Sequence, residues 1–446
     1  MRGKFSIVVS SLLLTTTVWA QSAPGFPRLG NTFIGAPQAY EDSAYQSQLA
    51  RLDVVILGAW PGWRGYSGSV TTLERAVGAI KSLSPSVRVF QYVILEAIGQ
   101  GQGAGVFKEP FDKINAMNWW TYAKGASGSR VLGAWQGSDG PFYEINLTDF
   151  APTDSNGDRW PDWYAKWAVR TYVTPSPSLD GLYTDNVTSG KPEASSDGDW
   201  NRDGVTDSAA SVTTQTWYRQ GYLRLFADLR ALMPGKMLIG NLANWGEPAA
   251  DLTTISGKLN GGIIEGMIGM SWSPETWAGW SATLKRYRKT MVATAAPQLV
   301  IFHQLGIPTD YQGMRYGLTT CLMDNGYYGF SSTASSADGD YHTVVWFDEF
   351  DANLGQATSP PPTAAWQNGV WRRDFQNGIA LVNPKGNGAQ TITLEGDFKK
   401  LAGKQAPKVN TGQLARAITL QDRDGIVLLR LTSQSKPSAP PSVTIQ

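Results

Sequence analysis

Leu179-Asp180-Gly181-Leu182-Tyr183-Thr184-Asp185-Asn186 reads as a short buried strand with a polar tip. Leu179, Leu182 and Tyr183 are apolar, and Gly181 leaves room for a close backbone neighbour. Asp185 and Asn186 fall where the strand opens into a loop. In a barrel of parallel strands that end carries the chemistry, so a carboxylate there can act as nucleophile or base and the amide can hold a substrate hydroxyl. The plainer reading is a strand followed by an Asp-Asn turn.

The segments on either side decide between these readings. Upstream, Asn31–Gly35, Val54–Gly58 and Val87–Leu95 are apolar strand candidates, separated by helical spacing near Ala44–Leu52 and at Leu73, Val77 and Ile80 of Thr71–Leu83. A further helix is expected near residues 112–123, small strands at Val131–Trp135 and Tyr143–Leu147, and a helix over Trp160–Val173. Downstream, strands at Met237–Asn241, Gly262–Met267, Gln298–His303 and Tyr327–Ser331 alternate with helices at Ser211–Met233, Pro274–Val292 and Gln312–Met323. About eight strand–helix units make a (β/α)8 TIM barrel, an α/β fold. A doubly wound open sheet is the alternative, but no Gly-rich phosphate loop follows the first strand. Ser359-Pro360-Pro361-Pro362 marks a boundary. Strand-like Gly378–Val382, Gln390–Leu394 and Ile426–Leu431 then predict a small antiparallel β-sandwich domain. The expected division is a leader over 1–20, the barrel over 21–358, the β-domain over 359–432 and a Ser/Pro-rich disordered tail over 433–446.

The net charge of +1 gives no pull toward nucleic acid or an anionic membrane. Arg2 and Lys4, the apolar Ile7–Leu14 and the Val18-Trp19-Ala20 site read as a cleaved export signal, and that apolar run is too short to span a bilayer. The mature chain is therefore expected to be secreted or periplasmic. The single cysteine, Cys321, rules out an internal disulfide and sits in a helical pattern as a small apolar residue.

The 18 tryptophans favour a carbohydrate ligand, because aromatic faces pack against the C–H faces of sugar rings. Trp60, Trp63, Trp245 and Trp272 are the candidate platforms, with Trp119, Trp120 and Trp135 also near strand ends or in Gly-rich loops. The competing reading is that they fill a large core. Glycoside cleavage needs two carboxyl groups. Glu96, Asp185 and Glu265 lie near strand ends, with Asp348 and Glu349 beyond the last strand. Glu265 interrupts Gly262-Ile263-Ile264-Glu265-Gly266-Met267, so it points at the barrel mouth or is paired inside. Burial would raise its pKa and suit a general acid. Asp185 suits the nucleophile, whereas Asp180 reads as structural. Glu96, Asn186, Asn241 and His303 are expected substrate contacts, and Asn244 is a further sugar contact or a loop cap.

Asp199-Trp200-Asn201-Arg202-Asp203-Gly204-Val205-Thr206-Asp207 has the alternating oxygens of a calcium loop, with Asp199, Asn201, Asp203, Val205 and Asp207 as ligands. Ala210 stands where an EF-hand has Glu, so any Ca2+ would be structural and catalysis needs no cofactor. Asp154-Ser155-Asn156-Gly157-Asp158, continued by Asp162, is a weaker version. Asn146-Leu147-Thr148 and Asn186-Val187-Thr188 are chance matches to glycosylation acceptors.

Asp180–Asn186, Asn201–Asp207 and the run Trp371-Arg372-Arg373-Asp374-Phe375-Gln376-Asn377-Gly378-Ile379-Ala380-Leu381-Val382-Asn383-Pro384 resemble hypothetical glycosyl hydrolase family 15. The resemblance covers most of the chain after strand two. It implies a TIM barrel with a trailing β-domain and membership of the glycosidases. The Asp-Gly-x-x-x-Asp-Asn strand also resembles the fourth-strand nucleophile motif of retaining α-glycosidase barrels, which makes Asp185 the nucleophile by analogy. Two rivals stand beside a secreted glycoside hydrolase acting on a poly- or oligosaccharide. One is a carbohydrate-binding barrel without catalysis. The other is a metal-dependent deacetylase, for which His303 and His342 are too few ligands.

Overall fold

The structure is a computed structural model. It describes residues 24–33, 40–58, 71–100, 105–125, 128–134, 140–187, 192, 194–248, 250–336 and 339–431. The leader, the Ser/Pro tail, Trp60, Trp63 and Trp135 lie outside them.

Eight strands form one sheet in chain order: β1 Gly30–Phe33, β2 Val54–Leu57, β3 Arg88–Ile94, β4 Gly181–Asp185, β5 Met237–Asn241, β6 Gly261–Ile268, β7 Leu299–Gly306 and β8 Tyr327–Ser332. Every pairing along it is parallel. The last strand returns to the first, where the Tyr328 amide donates to the Arg28 carbonyl at 2.8 Å and the Asn31 side chain donates to the Phe330 carbonyl at 2.9 Å. The result is the expected (β/α)8 architecture as a nearly closed barrel.

Apolar runs build this barrel because both faces of each strand are covered. Val54, Ile56, Phe90, Tyr183, Ile239, Ile263 and Ile301 pack together as one cluster. Their neighbours in sequence, such as Val55, Val89, Leu182, Leu238 and Phe302, join the large cluster that includes the helices. Gly262 shows how tight the strands are. It has φ +140°, and a Cβ there would lie 1.6 Å from the Gly240 carbonyl oxygen. β7 runs past its expected end at His303 through Gly306, because His303 and Gln304 find buried partners in Ser331 and the Gly313 carbonyl.

Helices Ser43–Leu49, Thr71–Leu83, Trp160–Ala168, Val212–Leu232, Trp280–Ala293 and Tyr311–Cys321 surround the barrel. The link from β5 to β6 carries turns and no helix among its described residues. The helix expected at 112–123 is Lys108–Met117 instead, and Asn118 ends it in the left-handed conformation at φ 53°. The elaboration after β3 holds an antiparallel pair, Ala97–Gly99 with Phe142–Glu144. It also consumes aromatic residues: Trp119, Trp120, Trp160, Trp167 and Trp200 are all fully buried. Here the core-filling reading of tryptophan wins over the sugar reading. No described helix is long and apolar enough to cross a membrane.

The C-terminal strands are β9 Trp371–Phe375, β10 Gly378–Asn383, β11 Gln390–Lys400, β12 Leu414–Leu420 and β13 Asp424–Arg430, in the sheet order β9-β10-β13-β11-β12. They form one antiparallel sheet. On one face Ile379, Leu381, Ile392, Ile418 and Leu428 make a separate apolar cluster. On the other, Ala380, Val382 and Val427 join the barrel core, so the barrel itself supplies the covering layer. Arg315, on Tyr311–Cys321, is buried at the join and donates to the Gly425 carbonyl at 3.0 Å and to the Asp424 carboxylate at 2.9 Å. Removing one partner of such a pair strands a buried charge. Arg315→Leu is expected to cost about 3–5 kcal/mol of unfolding free energy. Urea unfolding measures it, and a loss below about 1 kcal/mol would show that water reaches Asp424.

Candidate active site

β4 ends in Asp185, Glu265 interrupts β6 where its pairing becomes irregular after Ile264, and β5 lies between the two strands. The pleat aims Tyr183 and Asp185 the same way, two residues apart. Asp185 accepts from the Tyr92 hydroxyl through one oxygen. Its other oxygen accepts from the Tyr183 hydroxyl at 3.3 Å and from the Asn241 amide at 3.2 Å. The same Asn241 nitrogen donates to Glu265 at 3.2 Å, while the Tyr341 hydroxyl donates to the other Glu265 oxygen. The two carboxylate oxygens share a nitrogen 3.2 Å from each, so they lie no further apart than twice that distance. These groups close around a cavity of about 80 Å³, with Thr32 and Ile263 completing its walls.

A larger cavity of about 540 Å³ opens among Arg28, Asp53, Arg88 and Tyr327, at the opposite, N-terminal ends of the strands. The converging carboxylates make the smaller one the candidate site, on the face where barrel strands carry reactive groups.

Burial raises the Glu265 pKa. The Tyr341 and Asn241 hydrogen bonds oppose that rise, and the nearby Asp185 charge adds to it. Burial likewise keeps the Tyr92 and Tyr183 hydroxyls un-ionised, with the Asp185 charge in support, so both remain donors.

Several expected contacts sit elsewhere than the mouth. Glu96 is fully buried, and one of its oxygens accepts from the Asn186 amide at 2.6 Å. Its second oxygen is buried without a hydrogen bond. Glu96 is therefore no sugar contact; it stands behind Asn186, which adopts φ 47° and whose carbonyl accepts from Tyr222. The Asn186 amide is thus committed to Glu96. Trp245 is fully buried and donates to the Val187 carbonyl at 2.8 Å, so it packs the core and offers no open face. His303 is also fully buried. Its Nδ1 accepts from the Gly266 amide at 3.2 Å and its Nε2 pairs with the Ser331 hydroxyl at 3.0 Å. Burial pushes its pKa down to about 3, which leaves a neutral ring braced within the barrel. Trp272 is half exposed. Asp180 accepts from the Val89 amide and pairs with Lys81 at 2.7 Å, far from the mouth. Cys321 is buried, and its thiol pKa is pushed up to about 12 by burial.

Tyr92 and Tyr341 are additions from the structure. Strand parity carried a signal for Tyr92, which shares an inward face with Phe90. Tyr341 lies in a loop after β8 with no such signal.

Glu96 permits a test. Burial, then the Asp185 charge, raises its pKa well above the usual carboxylate range. A carboxyl raised on folding adds stability below its unfolded pKa and loses it as pH climbs through the folded value. Glu96→Gln mimics the neutral acid and keeps an acceptor for Asn186. Its melting temperature is expected to match wild type near about pH 4 and to exceed it increasingly toward neutrality. Thermal melts across that range check this, and a variant less stable at neutral pH would show a charged, well-compensated Glu96.

In the acidic loop, the Asp199 carboxylate accepts from the amides of Gly125, Asp203 and Gly204, and Asp207 accepts from that of Trp200. Asn201 donates to Asp203, and Val205 is exposed. In the weaker loop, Lys113 pairs with Asp154 at 2.8 Å and Lys166 with Asp158 at 2.7 Å. Among the described residues no three Asp, Glu, His or Cys side chains are grouped to hold a metal.

Residues 81–379 match the model of a family described as hypothetical glycosyl hydrolase family 15. Among solved structures, an Anoxybacillus α-amylase assigned to a new glycosyl hydrolase subclass is 10% identical with a TM-score of 0.50, over 91% of this chain and 98% of that one. The GH36 α-galactosidase AgaA from Geobacillus stearothermophilus is 12% identical with a TM-score of 0.46, over 91% of this chain and 55% of that one. The glycoside hydrolase domain of PelA from Pseudomonas aeruginosa is 12% identical with a TM-score of 0.41, over 72% of this chain and 97% of that one. At such identity the α-amylase likeness speaks to the fold alone. No curated protein matches the chain by sequence.

Proposed function

The chain belongs to hypothetical glycosyl hydrolase family 15, and from that premise we propose that it cleaves O-glycosidic bonds of a poly- or oligosaccharide with Asp185 as nucleophile and Glu265 as general acid/base. The observation that carries this reading is the one Asn241 nitrogen shared by both carboxylates. It holds one oxygen of each carboxylate within twice 3.2 Å of the other, below the roughly 6.5–9.5 Å that leaves room for an inverting water, which favours a retaining pair at about 5–5.5 Å.

The two environments divide the labour. Three donors orient the Asp185 oxygens, from Tyr92, Tyr183 and Asn241. Glu265, desolvated, holds its proton to higher pH and can give it to the leaving oxygen. In the first step an Asp185 oxygen bonds to the anomeric carbon as the glycosidic C–O bond breaks, and Glu265 protonates the departing oxygen. In the second, Glu265 takes a proton from water, which attacks the same carbon and frees Asp185.

Proton NMR of the first product tests this directly. Retention of anomeric configuration is expected. An inverted first product would remove the covalent role of Asp185, and sugar affinity without any cleavage would favour a carbohydrate-binding barrel.

A further inference from the structure

We propose that Trp272 and Trp277 form an aromatic shelf that binds the leaving-group side of a polysaccharide, which makes a polymer the preferred substrate; this rests on the glycosidase reading above. The cavity between the carboxylates has about 80 Å³, far below the roughly 300 Å³ at which pockets begin to enclose a drug-sized ligand. A cavity of that size cannot enclose an oligosaccharide, so most of a bound glycan must lie outside it.

Two tryptophans stand on the segment that follows Glu265. Trp272 is 51% exposed and Trp277 is 59% exposed, although Trp119, Trp120, Trp160, Trp167, Trp200 and Trp245 are fully buried. An indole is usually buried to a large extent, so a linked, open pair needs a reason. The Trp277 indole N–H donates to the Trp272 carbonyl at 3.0 Å, which ties the two together. The Trp272 ring packs directly on Gly266, the residue after Glu265. Gly266 has φ +60°, and a Cβ there would lie 2.0 Å from the ring. That contact sets the Trp272 ring against the backbone of the residue next to the acid/base. Since Glu265 protonates the leaving oxygen, sugars on this side belong to the leaving group.

The shelf is held in advance. The Arg286 guanidinium lies 4.6 Å from the Trp277 ring centroid and backs one face. Glu275, buried in the same short helix Pro274–Ala278, accepts from the Tyr316 hydroxyl at 3.4 Å and meets Arg423 of the C-terminal sheet at 3.5 Å. Little ordering remains to be done when a glycan arrives.

Affinity electrophoresis of the full chain tests the shelf apart from catalysis. The gels contain a soluble α-glucan, β-glucan, galactomannan or amino-sugar polymer. Wild type, Asp185→Asn, Trp277→Ala, Trp272→Ala, Trp277→Phe and the exposed-surface control Val292→Ala are compared, with thermal melts to confirm folding. Wild type and Asp185→Asn are expected to be retarded alike by at least one polymer. Trp277→Ala and Trp272→Ala are expected to bind it roughly tenfold more weakly, Trp277→Phe to recover most of the loss, and Val292→Ala to match wild type. The shelf is overturned if no polymer retards wild type, or if Trp277→Ala and Trp272→Ala both run as wild type does. Tryptophan-dependent retardation without cleavage by wild type would keep the shelf and sink the hydrolase reading alone.

Discussion

Asp185→Asn is expected to lower kcat by roughly 10³-fold or more, because in the mechanism proposed above it removes the atom that bonds to the anomeric carbon. Chemistry and position are separable here. The Asn side chain keeps the shape of Asp but turns an NH2 toward a ring of donors, Tyr92, Tyr183 and Asn241. A donor-on-donor mismatch of that kind costs about 1–3 kcal/mol of stability. The variant should therefore melt lower yet remain folded, with little change in KM. Turnover on a cleaved polysaccharide, compared with the melting curve, checks both parts. Near-normal kcat in a folded Asp185→Asn protein would end the nucleophile assignment.

The second large effect concerns Glu265. Glu265→Gln is expected to reduce kcat by roughly 10²–10⁴-fold on an ordinary glycoside, the usual contribution of a positioned acid. The pH dependence is the sharper readout. Burial raises the Glu265 pKa, so the acid form persists above the usual carboxylate range and is lost as pH rises through the raised value. Wild-type activity should fall along that basic limb, and Glu265→Gln, which has no proton to lose, should lack it. An aryl glycoside whose phenolate leaves unprotonated should suffer less in the first step than an alkyl glycoside. A variant that keeps the basic limb would move the acid role to another residue.

What made the barrel legible was composition at short range. Val54–Leu57, Met237–Asn241 and Tyr327–Ser332 are apolar runs, and a strand covered on both faces has to be one. Asp185 and Glu265 were legible for the same reason, since a carboxylate that interrupts or ends such a run must reach the mouth or find a partner. Trp245 and His303 show the limit. Both follow apolar runs as a sugar contact would, yet neighbours distant in sequence, Val187 and Ser331, satisfy their polar atoms and leave them no solvent to face. Glu96 obeys the same logic from the other side, held by Asn186 from a different strand end.

Local sequence by itself determined the parallel α/β barrel, the trailing β-strands and the carboxylates carried by β4 and β6, because strand burial and turn chemistry act within a few residues. Tertiary structure alone decided which of the described tryptophans fill the core and which stand open, that Tyr92 and Tyr341 hold the carboxylates, and that Asn241 bridges them. Those outcomes depend on which side chains meet across strands and loops far apart in the chain, and no local pattern records such meetings.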